Sequence, residues 1–381
     1  MGEKTADVKA FSKTLGENAK MLERRIEALN SLRSSQGVFR YGLNISSVFE
    51  EDFSKVQLRE AGFEIKGSGK ALVMNIREAV REKMFSENAF ATVEKANKLA
   101  AANIAFMNSA AFIRLPAGED CGTIHLKLKG TGSDFSYILV IADERSKATV
   151  IDEVSDNAGY RSCIVEIQAK QASEVRFATV QRLPECRNYI FKKASVMKDA
   201  NVEWLDIATG SSATKAEIYS DLIGQGARSS IFNVFFGSKT QQFDITNKCT
   251  HIGRDTSSLM LSSGALKDRA KAIQQGFAKI EAKAYNSAAH QKSKILLLSE
   301  EAKAVPIPKL EIDNNEVAAT HEASVGQIDA EKLFYLMSRG LDTREARRLY
   351  VEGFFEQYAS MITVPELRED IGKTIAERMD A

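Results

Sequence analysis

The stretch EIYSDLIGQGARSSIFNVFFG, residues 217–237, decides the fold class. It holds two short runs that are rich in β-branched and aromatic residues, and a glycine follows each run, Gly224 and Gly237. Runs of this composition that end in turn residues are typical of β-strands. The stretch therefore predicts two strands joined by a turn, with no helix between them.

The same pattern extends over residues 111–313, where glycines in the later part recur every 11 to 16 residues. A sandwich, a barrel and a stacked β-solenoid all use strand-plus-turn units of that length. Some two hundred residues of short strands would overfill one sandwich, whereas a solenoid grows one coil at a time. We therefore favour a β-helix. The predicted strands cover residues 137–141, 148–151, 163–167, 175–180, 189–196, 202–207, 217–223, 230–236, 258–261 and 295–298.

Helical patterns flank the strands on both sides. Apolar residues recur every three or four positions over residues 8–29 and predict an amphipathic helix that ends near residues 34–37. A second helix is predicted over residues 75–111, which contain neither Gly nor Pro. Near the C-terminus, Asp342 and Glu345 have capping-box spacing, and Pro365 stops or bends the chain. We expect an N-terminal helical region at 1–110, a β-helix core at 111–313 and a C-terminal helical region at 314–381.

Charge and length narrow the class of protein. The 381 residues include 52 Lys and Arg and 51 Asp and Glu, a net charge of +1, so we expect no affinity for nucleic acid or anionic membranes. The longest apolar runs are too short to span a bilayer. Residues 2–9 interleave Glu, Lys and Asp where a secretory signal would be apolar. These observations predict a soluble cytoplasmic protein of two or three structural units.

The chain lacks the sequence signatures of common catalytic sites. Leu367 occupies the place of the leading glycine in a phosphate-binding loop that would end at Gly372 and Lys373, so we expect no ATP binding by this chain. Hydrolase and protease motifs are absent from the sequence. A carbohydrate-active β-helix enzyme would need paired carboxylates, and no such signature is visible. We therefore expect that the chain is not an enzyme.

Few residues suggest a metal site. Cys121, Cys163, Cys186 and Cys249 form no C-x-x-C pair, and His125, His251, His290 and His321 are scattered; a lone histidine is more often structural than a metal ligand. Two pairs of nearby residues are nevertheless candidate metal ligands. His321 and Glu322 follow the last predicted strands, at 309–312 and 317–320, and adjacent strand residues point to opposite faces. Cys249 and His251 would share one face, although for Cys249 we favour a small core position.

Four strings resemble the SufB and SufD family, the scaffold proteins of the SUF iron–sulfur cluster assembly system. They are THIGRDTSS at 250–258, PIPKLEIDNNEV at 306–317, THEASVGQID at 320–329 and KLFYLMSRGLDTREARRLYVEGFF at 332–355. The resemblance is specific over residues 256–355 and weaker back to residue 113. It implies a right-handed parallel β-helix between helical regions. It also implies pairing through the β-helix, as a homodimer or as a heterodimer with a second family member, and a SufC-type ABC ATPase docked on the C-terminal helices.

The resemblance also assigns residues. His321 corresponds to the family histidine at the dimer interface, where a nascent cluster is thought to assemble, and Glu322 matches the glutamate of SufB-type chains. The two SufB cysteines align near Lys292 and Leu222, so both thiols are missing here. Histidine and carboxylate ligands bind iron more weakly than cysteine thiolates do, which suits a site that must release its cluster.

We therefore expect a scaffold subunit that holds a transient iron–sulfur cluster, for example of the 4Fe-4S type, and no tightly bound cofactor. The candidate ligands are His321 and Glu322, with Cys249 as a weaker candidate. Tyr335, Arg339, Tyr350 and Phe354 are candidates for ATPase docking, and each also suits a core position. The alternative is a purely structural subunit of the same complex that binds no iron.

Overall fold

The computed structural model describes residues 2–32, 52–93, 97–130, 132–155, 159–183, 185–360 and 364–380. The predicted end of the first helix, near residues 34–37, lies outside these ranges. In the described N-terminal region the elements are α1 (Gly2–Leu15), α2 (Ala19–Ser31), a 3-10 turn (Phe53–Lys55), β1 (Gly62–Lys66), β2 (Leu72–Asn75), α3 (Ile76–Ala79), α4 (Lys83–Asn88) and α5 (Lys98–Phe106).

Both predicted N-terminal helices are divided. The first breaks at Gly16, whose φ of +76° favours glycine, and Asn18 then caps α2 by accepting from the Met21 N–H at 3.0 Å. The prediction of one helix over 75–111 is wrong in the same way, since that segment contains α3, α4 and α5. Phe90, at a φ of +57°, interrupts it after α4. High helix propensity therefore did not decide the continuity of either helix.

Sixteen further strands follow among the described residues, each of 7 to 11 residues. They are β3 (Ser109–Leu115), β4 (Asp120–Lys129), β5 (Asp134–Ala142), β6 (Lys147–Val154), β7 (Gly159–Ala169), β8 (Glu174–Gln181), β9 (Cys186–Val196), β10 (Asn201–Ala208), β11 (Ala213–Leu222), β12 (Arg228–Gly237), β13 (Gln242–His251), β14 (Ser257–Leu266), β15 (Lys271–Ile280), β16 (Ala288–Leu297), β17 (Lys303–Ile312) and β18 (Ala318–Gln327).

These strands form a parallel β-helix of eight coils, as predicted. The even-numbered strands β4 to β18 pair in parallel, and β1 joins them antiparallel; we call this the even sheet. The odd-numbered strands β3 to β17 form the odd sheet, with β2 antiparallel at its edge. Each coil contributes one strand to each sheet. The strands β17 and β18 are therefore the last strands of their sheets in the described chain.

Tight corners join the strands of each coil. Non-glycine residues with left-handed φ recur there, and their N–H groups donate to carbonyls of the next coil: Asp199 to Gln225 and Asp255 to Tyr285, both at 2.9 Å. Gly224 occupies one such corner, where an added Cβ would lie 2.0 Å from the Lys198 nitrogen. Gly210 and Gly253 likewise lie at corners that another backbone approaches closely, whereas Gly264 and Gly276 lie within strands, where an added Cβ would meet the Phe235 ring and the Gln291 side chain.

The lumen of the β-helix is partly polar. Apolar side chains of both sheets, including Trp204 and Phe177, fill much of it. At one position of the even sheet, the residues aligned in register on six consecutive coils are nevertheless polar. Most of these side chains form hydrogen bonds with polar side chains of the odd sheet. We call this set of residues the polar column. Its members are Asp152, Thr179, Asp206, Asn233, Ser262 and Ser293.

In the described part of the C-terminal region, three helices follow the last strand: α6 (Ala330–Ser338), α7 (Thr343–Ala359) and α8 (Pro365–Asp380). The predicted capping box is present, since Asp342 accepts from the Glu345 N–H at 2.8 Å and Glu345 accepts from the Asp342 N–H at 3.0 Å. Pro365 is the first residue of α8, where its missing N–H costs nothing. Apolar residues of α7 and α8, such as Val351 and Ile371, pack with Phe232 and Leu261 on the outer face of the even sheet.

The expected region boundaries need two corrections. The strands β1 and β2 lie inside the region that was expected to be helical at 1–110, because they extend the edges of both sheets. At the other end, β18 pairs with β16 beyond residue 313, and the C-terminal helices begin only at Ala330. No helix among the described residues is long and apolar enough to cross a membrane.

Candidate functional site

The last coil of the β-helix carries both candidate ligands predicted at the end of the strand region. His321 and Glu322 are neighbours on β18. Successive side chains of a strand point to opposite faces. One copy of the chain therefore presents these two side chains on different faces of the even sheet, as the sequence indicated.

His321 lies on the lumen face, at the open end of the β-helix. Its register partner is Gln291 of β16, which is 3% exposed inside the lumen. Register partners in a parallel pair share a face. His321 is nevertheless exposed, because β18 is the last strand of the even sheet in the described chain. Its imidazole is accordingly accessible to a ligand or to a second protein.

Glu322 lies on the outer face between two ammonium groups. Lys292, its register partner, places Nζ 3.0 Å from Oε2, and the Nζ of Lys294 lies 3.6 Å from Oε1. The hydrogen bond from Lys292 is the main reason that the pKa of Glu322 lies below its usual value of 4.5. The carboxylate is thus ionised at neutral pH, and an iron ion would compete with two lysines for its oxygens.

The sequence analysis missed these two lysines as partners of Glu322. The signal was present in the sequence, because Lys292 precedes Glu322 by 30 residues, which is the length of one coil here. Lys294 follows two residues later and therefore shares the outer face.

The second candidate pair, Cys249 and His251, lies inside the lumen. Both residues are fully buried on β13, on the same face as predicted. The two ring nitrogens of His251 each lie 2.8 Å from a hydroxyl, that of Thr256 at Nδ1 and that of Ser258 at Nε2. Burial lowers the pKa of His251 to about 4 and raises the pKa of the Cys249 thiol to about 12.

The other thiols are buried as well. Burial raises the pKa of Cys163 to about 12 and that of Cys186 to about 11, so both stay protonated at neutral pH. Leu222, where the sulfur-accepting cysteine of SufB would align, is a buried residue at the end of β11. Among the described residues, no three His, Cys, Asp or Glu side chains come together in a way that could hold a metal ion.

The four candidate docking residues fall into two groups. Tyr335 and Arg339 lie on and just after α6, a helix with no buried residue, and the Arg339 guanidinium is 5.1 Å from the Tyr335 ring centroid. Tyr350 and Phe354 belong to α7 and are half-buried against the even sheet. The first pair is therefore available to a partner, and the second pair also contributes to the packing of α7.

Comparison with known proteins identifies the family. The model of the "SUF system FeS cluster assembly, SufBD core domain" matches residues 126–354, well over half of the chain. The chain belongs to the SufBD family. This match begins far upstream of residue 256, where the specific resemblance was placed, and includes both sheets of the β-helix.

Curated relatives support the same family. Proteins named "Iron-sulfur cluster assembly SufBD family protein" from Staphylococcus epidermidis, Staphylococcus haemolyticus and Staphylococcus aureus are each 30% identical over 335 residues. The match covers 84% of this chain and 70% of each relative. A coverage of 84% includes part of the first hundred residues, for which the sequence analysis made no claim of resemblance. Membership of the family implies involvement in iron–sulfur cluster assembly.

Proposed function

We propose that the chain is a non-enzymatic scaffold subunit for iron–sulfur cluster assembly in the cytoplasm. It pairs through the last coil of its β-helix with a second copy or with another SufB/SufD-type chain. It docks a SufC-type ABC ATPase through its C-terminal helices. The nascent cluster is the cargo of this complex and is built where the paired β-helices meet.

The exposed end of the β-helix supports pairing. The outer edges of β17 and β18 have no partner strand in the described chain, so their backbone N–H and C=O groups can pair with a strand of another chain. The same coil exposes Val305, Ile312 and Val325. A solenoid end of this kind is usually capped or joined to a neighbour, because exposed strands and apolar side chains favour association.

The exposed imidazole of His321 is the single observation that carries the cluster role. A neutral imidazole is a good iron ligand, and two-fold pairing through the last coil would bring two copies of His321 to one interface. Glu322 adds a carboxylate that is ionised at neutral pH. Such ligands hold a cluster loosely enough to pass it on, whereas four cysteine thiolates would retain it.

The surface of α6 supports docking of a partner protein. Phe334 is 73% exposed and Tyr335 is 56% exposed, and Met337 and Leu349 are exposed nearby in sequence. Aromatic residues, Met and Arg are enriched at protein interfaces, and Arg339 completes this composition. We propose that α6 and the start of α7 form the ATPase surface, while Tyr350 and Phe354 hold α7 in place beside it.

A structural subunit that binds no iron remains the second candidate function. The ion pairs from Lys292 and Lys294 to Glu322 favour it, because they occupy both carboxylate oxygens. The buried positions of all four cysteines favour it as well, since no thiolate reaches the surface among the described residues. The two candidate functions differ in whether His321 contributes to iron uptake.

Anaerobic reconstitution distinguishes the two candidates. The purified complex would be incubated with ferrous iron and sulfide and followed by ultraviolet–visible and Mössbauer spectroscopy, with wild type, His321→Ala and His290→Ala in parallel. His290 is a matched control, because it is also an exposed histidine but lies on the outer face of β16. We expect His321→Ala alone to lose most of the cluster signal. Equal iron uptake by all three proteins would favour the structural subunit.

A further inference from the structure

A groove on the outer face of the even sheet lies apart from the last-coil lumen and from α6. It runs across the N-terminal ends of β10, β12, β14, β16 and β18 and has a volume of about 500 Å³. Pockets that bind small molecules have volumes of roughly 300–1,000 Å³. The residues that matter for its chemistry are Arg228, Ser230, Ser257, Leu259, His290 and Thr320.

The groove is formed where small residues are aligned in register with an arginine on the neighbouring strands. Arg228 of β12 is aligned with Ser257, Ala288 and Ala318 on the next three strands. These short side chains leave a hollow beside the arginine. The helices α7 and α8 pack on Phe232 and Leu261, further along the same strands, and the hollow is lined by strand residues alone.

The charge of the groove favours an anion. Its lining contains Arg228 and His290 but no Asp or Glu. Arg228 is exposed and has no carboxylate within ion-pair distance among the described residues. A guanidinium offers paired N–H donors that match the oxygens of a phosphate group, and Ser257 is its register partner on the adjacent strand, whose backbone lies about 5 Å away.

His290 is held in a defined orientation at the other side of the groove. Its Nδ1 lies 2.5 Å from the Thr320 hydroxyl, so Nε2 is the nitrogen left for a ligand. Arg228 and His290 stand two strands apart, a distance of about 10 Å between backbones. Leu259, on the strand between them, provides an apolar contact in the middle of the groove.

We propose that this groove binds the phosphate group of a small molecule. Arg228 and Ser257 bind the phosphate, Leu259 contacts the organic part, and Nε2 of His290 hydrogen-bonds to its far end. Free phosphate has no organic part and would therefore bind only to Arg228 and Ser257. The site does not depend on the proposed scaffold function, because it uses neither His321 nor the C-terminal helices.

The test uses the full-length chain with two probes, inorganic phosphate and glycerol 3-phosphate. Binding is followed by ³¹P line broadening and by calorimetry for wild type, Arg228→Gln and His290→Gln. The control is Arg269→Gln, because Arg269 is also an exposed arginine but lies at the corner after β14, outside the groove. Circular dichroism and thermal unfolding verify that each variant is folded.

We expect saturable binding by wild type, an affinity at least tenfold lower for Arg228→Gln, and no change for Arg269→Gln. If glycerol 3-phosphate is the better probe, His290→Gln should weaken its binding more than that of inorganic phosphate. Equal binding of the two probes, lost in Arg228→Gln, would assign the site to free phosphate. Absence of saturable binding to wild type, or equal binding by wild type and Arg228→Gln, would overturn the proposal.

Discussion

Gln291 and His321 are register partners on adjacent strands and face the same side of the even sheet, yet only Gln291 is buried. Gln291 is covered by the last coil, and its amide donates to the Lys309 carbonyl at 3.0 Å. His321 belongs to that last coil and has no later strand over it in the described chain. The position of a residue in the order of coils therefore decides whether the same lumen face is core or surface.

Pairing through the last coil should be sensitive to charge on its lumen face. We expect Val325→Asp to weaken dimer formation about tenfold or more, because a buried carboxylate at an interface lacks a partner. Native mass spectrometry and sedimentation would measure the fraction of dimer. The folded state should persist, since Val325 is exposed in the single chain.

Leu72→Asp is the control for that experiment. Leu72 is an exposed apolar residue on β2, at the opposite end of the β-helix. Its substitution should leave the fraction of dimer unchanged. A dimer that withstands Val325→Asp, or that both substitutions weaken equally, would contradict pairing through the last coil.

Docking on α6 makes a separate prediction. Phe334→Asp should reduce binding of the ABC ATPase, and with it any stimulation of ATP hydrolysis, because it places a charge in the most exposed apolar position of that helix. Co-purification and ATPase assays would measure the effect. Thermal unfolding of the chain should not change, since α6 contributes no buried residue. Normal ATPase binding by this variant would exclude α6 as the docking surface.

The buried pair of Lys192 and Asp206 should contribute strongly to stability when one partner is removed. Lys192 is fully buried, and its Nζ lies 2.8 Å from Oδ1 of Asp206 and 2.7 Å from the Thr179 hydroxyl. Lys192→Met would leave a buried carboxylate unpaired, which costs about 3–5 kcal/mol. Urea denaturation would measure the change in the free energy of unfolding.

A matched control and a double variant complete that test. Lys279 pairs with Glu311 at 3.0 Å on the surface, so Lys279→Met should cost less than about 1 kcal/mol. The double variant Lys192→Met with Asp206→Leu should recover much of the loss, because no charge is left unpaired. Equal costs for the buried and the surface lysine would refute this account of the lumen.

Stability should fall at mildly acidic pH because of His251. Burial lowers its pKa from 6.5 to about 4, so the unfolded chain takes up a proton that the folded chain does not. The free energy of unfolding should therefore decrease as the pH falls from about 6.5 towards 4. At about 1.4 kcal/mol for each pH unit, the loss from this group between pH 7 and pH 5 is about 2 kcal/mol.

His251→Gln removes this proton and should flatten the pH dependence. Urea denaturation at pH 7 and pH 5 would compare wild type with the variant, and other titrating groups cancel in the difference. We expect wild type to lose about 2 kcal/mol more than His251→Gln over this range. The same loss in both proteins would mean that His251 does not bind its proton on unfolding.

Much of the fold could be predicted from the sequence, because each coil repeats the same local rules. All twelve predicted strands overlap strands of the structure, including those at 309–312 and 317–320. The helices near the N-terminus were harder. Phe90 lies between two alanines, which favour a helix, yet the helix is broken there. The Phe90 N–H instead donates to the Tyr137 hydroxyl of the β-helix, and the two rings pack together.

The candidate site could be predicted only in part. Strand alternation correctly placed His321 and Glu322 on opposite faces, and it placed Cys249 beside His251. The partners of Glu322 lie one coil earlier, so they could be found only from the coil length, which local patterns do not give. His321 is exposed because no later coil covers it in the described chain. Whether a lumen residue is buried thus depends on the place of its coil in the stack, which the local sequence pattern does not show.

The polar column has a consequence for how this β-helix can change in length. Repeat proteins with interchangeable units tolerate duplication or loss of a unit. Here, deletion of the coil that carries Asp152 on β6 would leave the guanidinium of Arg161, which belongs to the next coil, in the interior without its counter-ion, and duplication of that coil would add a second buried carboxylate without a second arginine. The number of coils can therefore change without an unpaired buried charge only where both partners of an ion pair are added or removed together.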